Sequence, residues 1–556
     1  MPHKSRWAVP VPEVDIPTYL FGSPTAPLGD ALAFADAEDP ERLRLTWTEL
    51  RLWSQRFAAG LQAAGLQEGD RVLILSGNDV LFPVVNLGII MASGIYHSGN
   101  PHSNPRELAY QLGLTKPRFI LASEETIACA LEAAAMVDIP RERVFLFNDG
   151  PLIQDGGGDD DYNAGVKHWK HLLAPKEAGS RFAWKKLTPS ESKSTTVYTI
   201  MTSGTTGLPK AAEASHHSII ANCVQTDFVM NLDPSVSTKE LAARNSRWLC
   251  AIPLYHGLAL CYFCTISIAR RIPSYIMPKY EITRMLESIQ RFRITELHLV
   301  PPIIVAMTKH PAVKSRKYDL SSVTKTFSCA APLGPEPTVQ YEALWPRGQV
   351  NVKQGLASTD SLGWDPTLTA VAGSVGEPMP NCEIKLVDDD ENEVPRGQSG
   401  EIWFRGPNIM QGYWQNKKAT DETITEDGWL RTGDVARQDE LGWYYVVDRK
   451  KEMIKVKGVQ VWPAELEALL LDHPSVNDAA VIGVRKGDDE HPRAYVVAAP
   501  GTSVSAEDIL EFINSKVSTI KRLTGGVVFT DTIPRAPSGK ILRRVIRDGV
   551  ASNSKL

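Results

Sequence analysis

The chain has 556 residues, enough for two or more domains, each with its own core. Hydrophobic residues make up 43% and charged residues 22%, and 60 Lys plus Arg against 65 Asp plus Glu leave a net charge of −5. Nothing in the sequence forms a broad basic face, so nucleic acid is not an implied partner. Seven scattered cysteines, an odd count, argue against a disulfide framework and for a reducing compartment.

The opening segment Met1-Pro2-His3-Lys4-Ser5-Arg6-Trp7 lacks the apolar core of a signal peptide. Residues 41–130 alternate helical and strand patterns: helix at 50–66, strand at 71–76, helix at 81–92, strand at 116–122, helix at 124–136. Such alternation predicts layered sheets with helices on their faces, an α/β fold. The most apolar run, 81–92, is broken by Pro83 and Asn86 and is too short to span a bilayer, so no membrane span is expected. Residues 155–162 read as a flexible acidic loop without the EF-hand ligand pattern. Cys261 and Cys264 have C-x-x-C spacing but lie in an apolar run with no second pair, which points to core packing. The stretch 279–305 reads as an amphipathic helix followed by a buried strand that stops at Pro301-Pro302. Strands and turns dominate 350–447. Beyond 448 the pattern becomes a compact αβ alternation, with helices at 464–472 and 506–515 and strands at 479–484 and 493–499. A domain boundary is therefore expected at 448–451.

Six stretches carry chemistry. The first is Thr202-Ser203-Gly204-Thr205-Thr206-Gly207-Leu208-Pro209-Lys210, after a β-prone run. Glycines permit close backbone approach, successive N–H groups form an anion-binding nest, and the hydroxyls and Lys210 add donors and charge. It lacks Walker A spacing, and by itself it also reads as a Ser/Thr/Gly-rich surface turn. The second is Pro253-Leu254-Tyr255-His256-Gly257, where a lone histidine is more often structural than catalytic. The third, Ser328-Cys329-Ala330-Ala331-Pro332, is a small-residue turn suited either to close packing or to one wall of a flat-ligand slot. In the fourth, Gln354-Gly355-Leu356-Ala357-Ser358-Thr359-Asp360, a hydroxyl beside a carboxylate suits Mg²⁺. In the fifth, Arg431-Thr432-Gly433-Asp434, an Asp in a tight turn can accept from both ribose hydroxyls, with Arg449 as a fixed cation. The sixth, Pro537-Ser538-Gly539-Lys540, is a turn that alone reads as a solvated loop. The final tripeptide Ser554-Lys555-Leu556 is the receptor-read S-K-L peroxisomal address.

These strings in this order, with Asp448-Arg449-Lys450-Lys451-Glu452-Met453-Ile454-Lys455-Val456-Lys457-Gly458-Val459-Gln460, resemble the adenylate-forming superfamily of acyl-CoA synthetases, luciferases and peptide-synthetase adenylation domains. The resemblance runs over about residues 40–550 and is nearest to 4-coumarate–CoA-ligase-like acyl-CoA ligases. It implies a large N-terminal adenylate-forming domain, 1–448, a small mobile α+β lid domain, 449–551, and a tail, 552–556, addressed to the peroxisomal import receptor. It further implies that ATP with Mg²⁺ activates a carboxylic acid as acyl-AMP, which CoA then attacks. Thr202, Ser203, Gly204, Thr205, Thr206, Gly207 and Lys210 would hold phosphates. Ala330, Ala331, Gln354, Gly355, Leu356, Ala357 and Ser358 would line the adenine slot, with Thr359 at the α-phosphate and Asp360 at the metal. Asp434 and Arg449 would bind ribose, and Lys540 would reach the α-phosphate. Lys451 matches the hinge; Lys455 and Gln460 lie on the loop that enters for thioester formation. Lys457 and Gly458 would border the CoA channel, and Lys279 would meet CoA phosphates. His256 matches the gate between acid and thiol, and the acyl pocket would include Tyr255, His256, Cys329 and Ala357.

The chain departs from the family pattern. Leu356 stands where an aromatic stacks on adenine, Asp360 is one methylene shorter than the usual Glu, and Ala357 and Cys329 replace glycines. The added bulk points to a compact aromatic or medium-chain acid, and a pathway-specific acid of secondary metabolism is equally compatible. Alternatives sharing the fold are an enzyme loading a carrier protein, a luciferase-like oxygenase, and an inactive homologue that only binds.

Overall fold

The computed structural model of the chain describes residues 2–148, 165–202, 209–356, 361–456, 459–486, 489–535 and 539–547, with 459, 460, 486 and 489 described by backbone alone. The acidic stretch at 155–162 and the S-K-L tail lie outside the described residues.

Two seven-stranded sheets form the body. One runs in the order Gly412–Tyr413, Lys210–Ser215, Thr196–Thr202, Ile95–Ser98, Arg71–Leu75, Phe119–Ala122, Val144–Leu146. The other runs Val352–Gln354, Lys325–Ser328, Glu296–Leu299, Trp248–Cys250, Ser274–Ile276, Leu32–Asp36, Arg44–Thr46. Both are parallel through their centres, as buried, Val/Ile/Leu-rich strands allow. They share one core, in which Val72, Ile74 and Tyr96 of the first join Phe34, Leu249 and Leu297 of the second. Helix Phe82–Met91 lies wholly inside that core, every residue buried.

A third, five-stranded antiparallel sheet orders His3–Lys4, Glu383–Val387, Ser399–Arg405, Leu430–Gln438 and Tyr444–Arg449. Its edge is closed by the first residues of the chain. His3 pairs with Ile384, and its ring nitrogen Nδ1 lies 2.8 Å from Gln438 Nε2 and 3.1 Å from the Tyr444 hydroxyl. A separate small core gathers Ile454, Leu466, Leu470, Val481, Val496, Ile509 and Ile513 around strands Val476–Lys486, Asp489–Ala498 and Gly526–Phe529.

The elements expected from periodicity are present with shifted ends. The helix expected at 50–66 is Trp47–Ala63, because Thr46 and Glu49 form a reciprocal capping box that starts it three residues earlier. The helix expected at 464–472 is Pro463–Leu471, and that at 506–515 is Ala506–Lys516. The strand expected to stop at Pro301-Pro302 is Glu296–Leu299, and Pro301 then opens a helix, Pro301–Lys309, which was not expected and for which its fixed φ is suited. Cys261 and Cys264 lie on adjoining turns without a disulfide, and the Cys261 thiol donates to Asn222 Oδ1 at 2.7 Å. Among the described residues no helix is long and apolar enough to cross a membrane.

Candidate active site

The site lies where the carboxyl ends of the two parallel sheets meet the third sheet and the small domain. Thr196–Thr202 and Lys210–Ser215 pair antiparallel with Thr202 opposite Lys210, and the Thr202 hydroxyl donates to the Lys210 carbonyl at 3.2 Å. The Lys210 ammonium lies 4.9 Å over the Tyr413 ring, a cation–π contact supplied by the next strand of the sheet. Ser203, Gly204, Thr205, Thr206 and Gly207 lie outside the described residues.

The opposite wall follows the strand Lys325–Ser328. Buried Cys329 donates its thiol to the Gly355 carbonyl at 3.3 Å, and Ala330 has φ +76°, a left-handed conformation costly for a residue with a Cβ. Buried Gln354 has both ends of its amide committed. Its oxygen accepts from Leu333 N at 3.0 Å and its nitrogen donates to Leu333 O at 3.1 Å, so Gln354 braces the 330–333 turn. Gly355 lies flat on Phe327, where a Cβ would be 2.6 Å from the ring. Leu356 bridges to Leu362 and packs on the apolar interior of the third sheet. Ala357, Ser358, Thr359 and Asp360 lie outside the described residues.

The charges converge from three elements. Asp434 on Leu430–Gln438 is paired in register with Arg449 on Tyr444–Arg449, and Arg449 Nε lies 3.1 Å from Asp434 Oδ1. The turn before it is fixed by Gly433 at φ +71°, by the Thr432 hydroxyl donating to Ile402 O at 2.6 Å, and by Asp434 N donating to that hydroxyl at 3.0 Å. Burial raises the Asp434 pKa, against the attraction of Arg449 and Lys540. Lys540 enters from the small domain. Burial first, then the Arg449 charge, pushes its ammonium down to about 8, although Asp434 and Glu452 oppose the shift. His256 caps the short helix Gly257–Cys261, its Nδ1 accepting from Leu258 N at 3.5 Å. Burial, with the nearby Lys540 charge, pushes it down to about 4, so the imidazole is neutral at physiological pH. Tyr255 beside it is buried, and its phenol pKa is raised.

His256, Asp434, Arg449 and Lys540 are thus brought together, although they span 284 positions of chain from 256 to 540. Lys451 stands close to Lys210; burial and that like charge lower its pKa. Lys279 and Lys455 are exposed and do not belong to the cluster. Lys455 is paired with Gln460 in the hairpin Ile454–Val456/Val459–Val461, and its amide donates to Glu490 at 2.8 Å. Lys457, Gly458 and the Gln460 side chain lie outside the described residues. Among the described residues no group of three His, Cys, Asp or Glu is placed to hold a metal ion.

Sequence reading missed Glu401. Its carboxylate accepts from Gly433 N at 3.2 Å and pairs with Lys450 at 3.2 Å, tying the Asp434 turn to the chain leaving the third sheet. Only the pairing of Glu401 with Val435 across two strands brings it there, and no local motif signals it.

Three layered sheets with a small αβ domain presenting a lysine to a buried Asp–Arg pair define a protein of adenylate-forming architecture. The ATP-bound MatB from Rhodopseudomonas palustris shares the fold at TM-score 0.79 and 24% identity, over 96% of this chain and 98% of that one. The anthranilate CoA ligase AuaEII in complex with anthranoyl-AMP does so at 0.80 and 21%, over 98% of each. The AMP-binding enzyme family matches residues 25–414 and its C-terminal domain residues 465–540, and the chain belongs to that family. Its relatives include Peroxisomal OPC-8:0-CoA ligase 1 of Arabidopsis thaliana, 36% identical over 98% of this chain and 95% of that protein. Acyl-CoA ligase azaF of Aspergillus niger is 33% identical over 97% and 99%.

Proposed function

We propose that the chain is an ATP-dependent acyl- or aryl-CoA ligase. A substrate carboxylate oxygen attacks the α-phosphorus of ATP, which enters as its Mg²⁺ complex, and the bond to pyrophosphate breaks. The CoA sulfur then attacks the acyl carbon, the bond to AMP breaks, and the thiol proton is lost to the medium. A carboxylate is a poor electrophile toward a thiol, so AMP serves as the installed leaving group. The observation that carries this reading is the convergence of Lys540 and Arg449 on buried Asp434 beside a neutral His256. Catalysis of phosphoryl-group substitution is mostly positioning and charge stabilisation, which such a cluster supplies.

In this reading Asp434 accepts from the ribose hydroxyls and Lys540 neutralises charge as pyrophosphate departs. The loop 202–210 holds the outer phosphates, and Asp360 is the protein's contribution to the metal. Neutral His256, with Tyr255 and Cys329, borders the acid. The small domain begins at 449, turns about Lys451, and brings Lys455 to Gln460 into the site for the second step, with Lys457 and Gly458 along the CoA arm and Lys279 at its phosphates. The acid is a compact aromatic or medium-chain one, since the Cys329 side chain fills space that a glycine would leave. Peroxisomal residence is supported by Ser554-Lys555-Leu556 and by the likeness to the peroxisomal Arabidopsis ligase.

The test is pyrophosphate release with ATP–Mg²⁺ over a panel of carboxylic acids, with and without CoA. Release stimulated by CoA, with an acyl-CoA product by mass, is expected. Acid-dependent release that yields no thioester with CoA would replace the ligase with a carrier-protein loader.

A further inference from the structure

The turn that carries Lys540 is held by contacts from both domains. Gly539, at φ +81°, lies against the large domain, where a Cβ would be 3.3 Å from Pro302 Cδ and 3.5 Å from Val300 Cβ. Its carbonyl accepts from Arg535 Nη1 at 2.6 Å. That guanidinium grips Asp478 through Nη2–Oδ1 at 2.6 Å and Nε–Oδ2 at 3.1 Å. Two residues before Asp478, the Val476 carbonyl accepts a hydrogen bond from Lys309 Nζ at 2.6 Å. Lys309 is the last residue of helix Pro301–Lys309, whose first turn is the surface that Gly539 packs on. One helix of the large domain therefore grips the small domain at both ends.

Lys309 is also partly desolvated. Burial lowers its pKa while the nearby Asp478 charge raises it, and the ammonium has exchanged water for a carbonyl of the other domain. Hydrogen bonds from charged donors are about twice as strong as neutral ones, and losing the acceptor leaves the charge undercompensated.

We propose that Lys309 is a positioning residue for acyl-adenylate formation: its hydrogen bond to the Val476 carbonyl latches the small domain in the orientation that presents Lys540, through Asp478, Arg535 and Gly539. The reaction named rests on the ligase reading above; the latch rests on the contacts. Helix Pro301–Lys309 gives Ile303, Ile304 and Met307 to the core of the large domain, whereas Val476 lies in that of the small domain, so the bond is lost when the small domain turns. The latch therefore serves the first half-reaction and not the second.

The experiment compares the full-length chain with Lys309→Met and Lys309→Arg. Three quantities are read: acid-dependent pyrophosphate release without CoA, thioester formation from synthetic acyl-adenylate and CoA, and hydrogen exchange of segments 300–309 and 539–547. In Lys309→Met, release falls roughly tenfold, the scale of one charged hydrogen bond. Thioester formation does not fall, exchange quickens in those two segments alone, and Lys309→Arg restores much of the release. Unchanged release and exchange would overturn the latch. So would a parallel fall of both half-reactions with exchange quickened throughout, which is the signature of a merely structural lysine. If the wild-type chain releases no pyrophosphate with any acid, the ligase reading fails while interface exchange still decides the latch. Should Lys309→Met not fold, Arg535→Gln breaks the same relay from the small domain and is read identically.

Discussion

Lys540→Met is expected to weaken catalysis and strengthen the fold, for the same reason. The Lys540 ammonium is pushed down from 10.5 to about 8, chiefly by burial. The unfolded chain therefore binds the extra proton between those values, and stability rises with pH across that window. Below about 8 both states carry the charge and the full penalty of burying it is present; above 10.5 neither does and the penalty vanishes. At about 1.4 kcal/mol per unit, the ceiling is about 3 kcal/mol. The small domain can rehydrate the lysine by undocking, so the gain realised by Met is nearer ~1 kcal/mol. Thermal unfolding without nucleotide at pH 7 should show the variant more stable than wild type, with the difference shrinking toward pH 10.5. Acid-dependent pyrophosphate release should meanwhile fall ~10²–10³-fold, the usual effect of deleting a group that meets developing charge. A less stable variant at pH 7, or unaltered pyrophosphate release, refutes the reasoning.

Asp434→Asn strips Arg449 of its carboxylate and the ribose site of an acceptor, so KM for ATP should rise ~10–100-fold with a smaller change in kcat. An unmoved KM counts against the ribose assignment. Gly355→Ala drives a Cβ to 2.6 Å from the Phe327 ring, a clash expected to cost about 1–3 kcal/mol and to lower the melting temperature. Phe327→Leu in the same chain should recover part of that loss, and no recovery would locate the strain elsewhere. Removing residues 554–556 from the untagged chain should shift it out of the peroxisomal fraction of a cell lysate; an unshifted distribution would discard the address reading.

What could be read from the sequence was whatever is contiguous. The strings around Lys210, Gln354, Asp434 and Lys540 each occupy a few neighbouring positions, so their composition shows before any folding. Helix Trp47–Ala63 is visible as apolar spacing, but its start is not, because the capping box Thr46–Glu49 is a four-residue signal outside the periodic run. The strand stop at Pro301-Pro302 was legible because proline ends strands, but the helix that Pro301 opens was not, since proline suits a first helical turn without by itself announcing one. Residues joined across distance were silent. Glu401 reaches the Asp434 turn only through strand pairing, and Lys309 meets Val476 167 positions away. Gln354 shows the same limit: its place near the site was legible, but not that its amide is spent on Leu333.

The first residues of the chain bear on how the protein can be handled. His3–Lys4 forms the outermost strand of the sheet whose far strands carry Asp434 and Arg449, and Arg6 anchors it through Glu377 at 2.8 Å and Asp365 at 3.1 Å. Trimming these residues, or displacing them with an affinity handle, would uncover the backbone of Glu383 and Ile384 and lengthen the free edge open to pairing with other chains. Low yield or clumping of an N-terminally tagged preparation would then report a damaged sheet border, and a cleaved or tagless chain is the form in which rates should be compared.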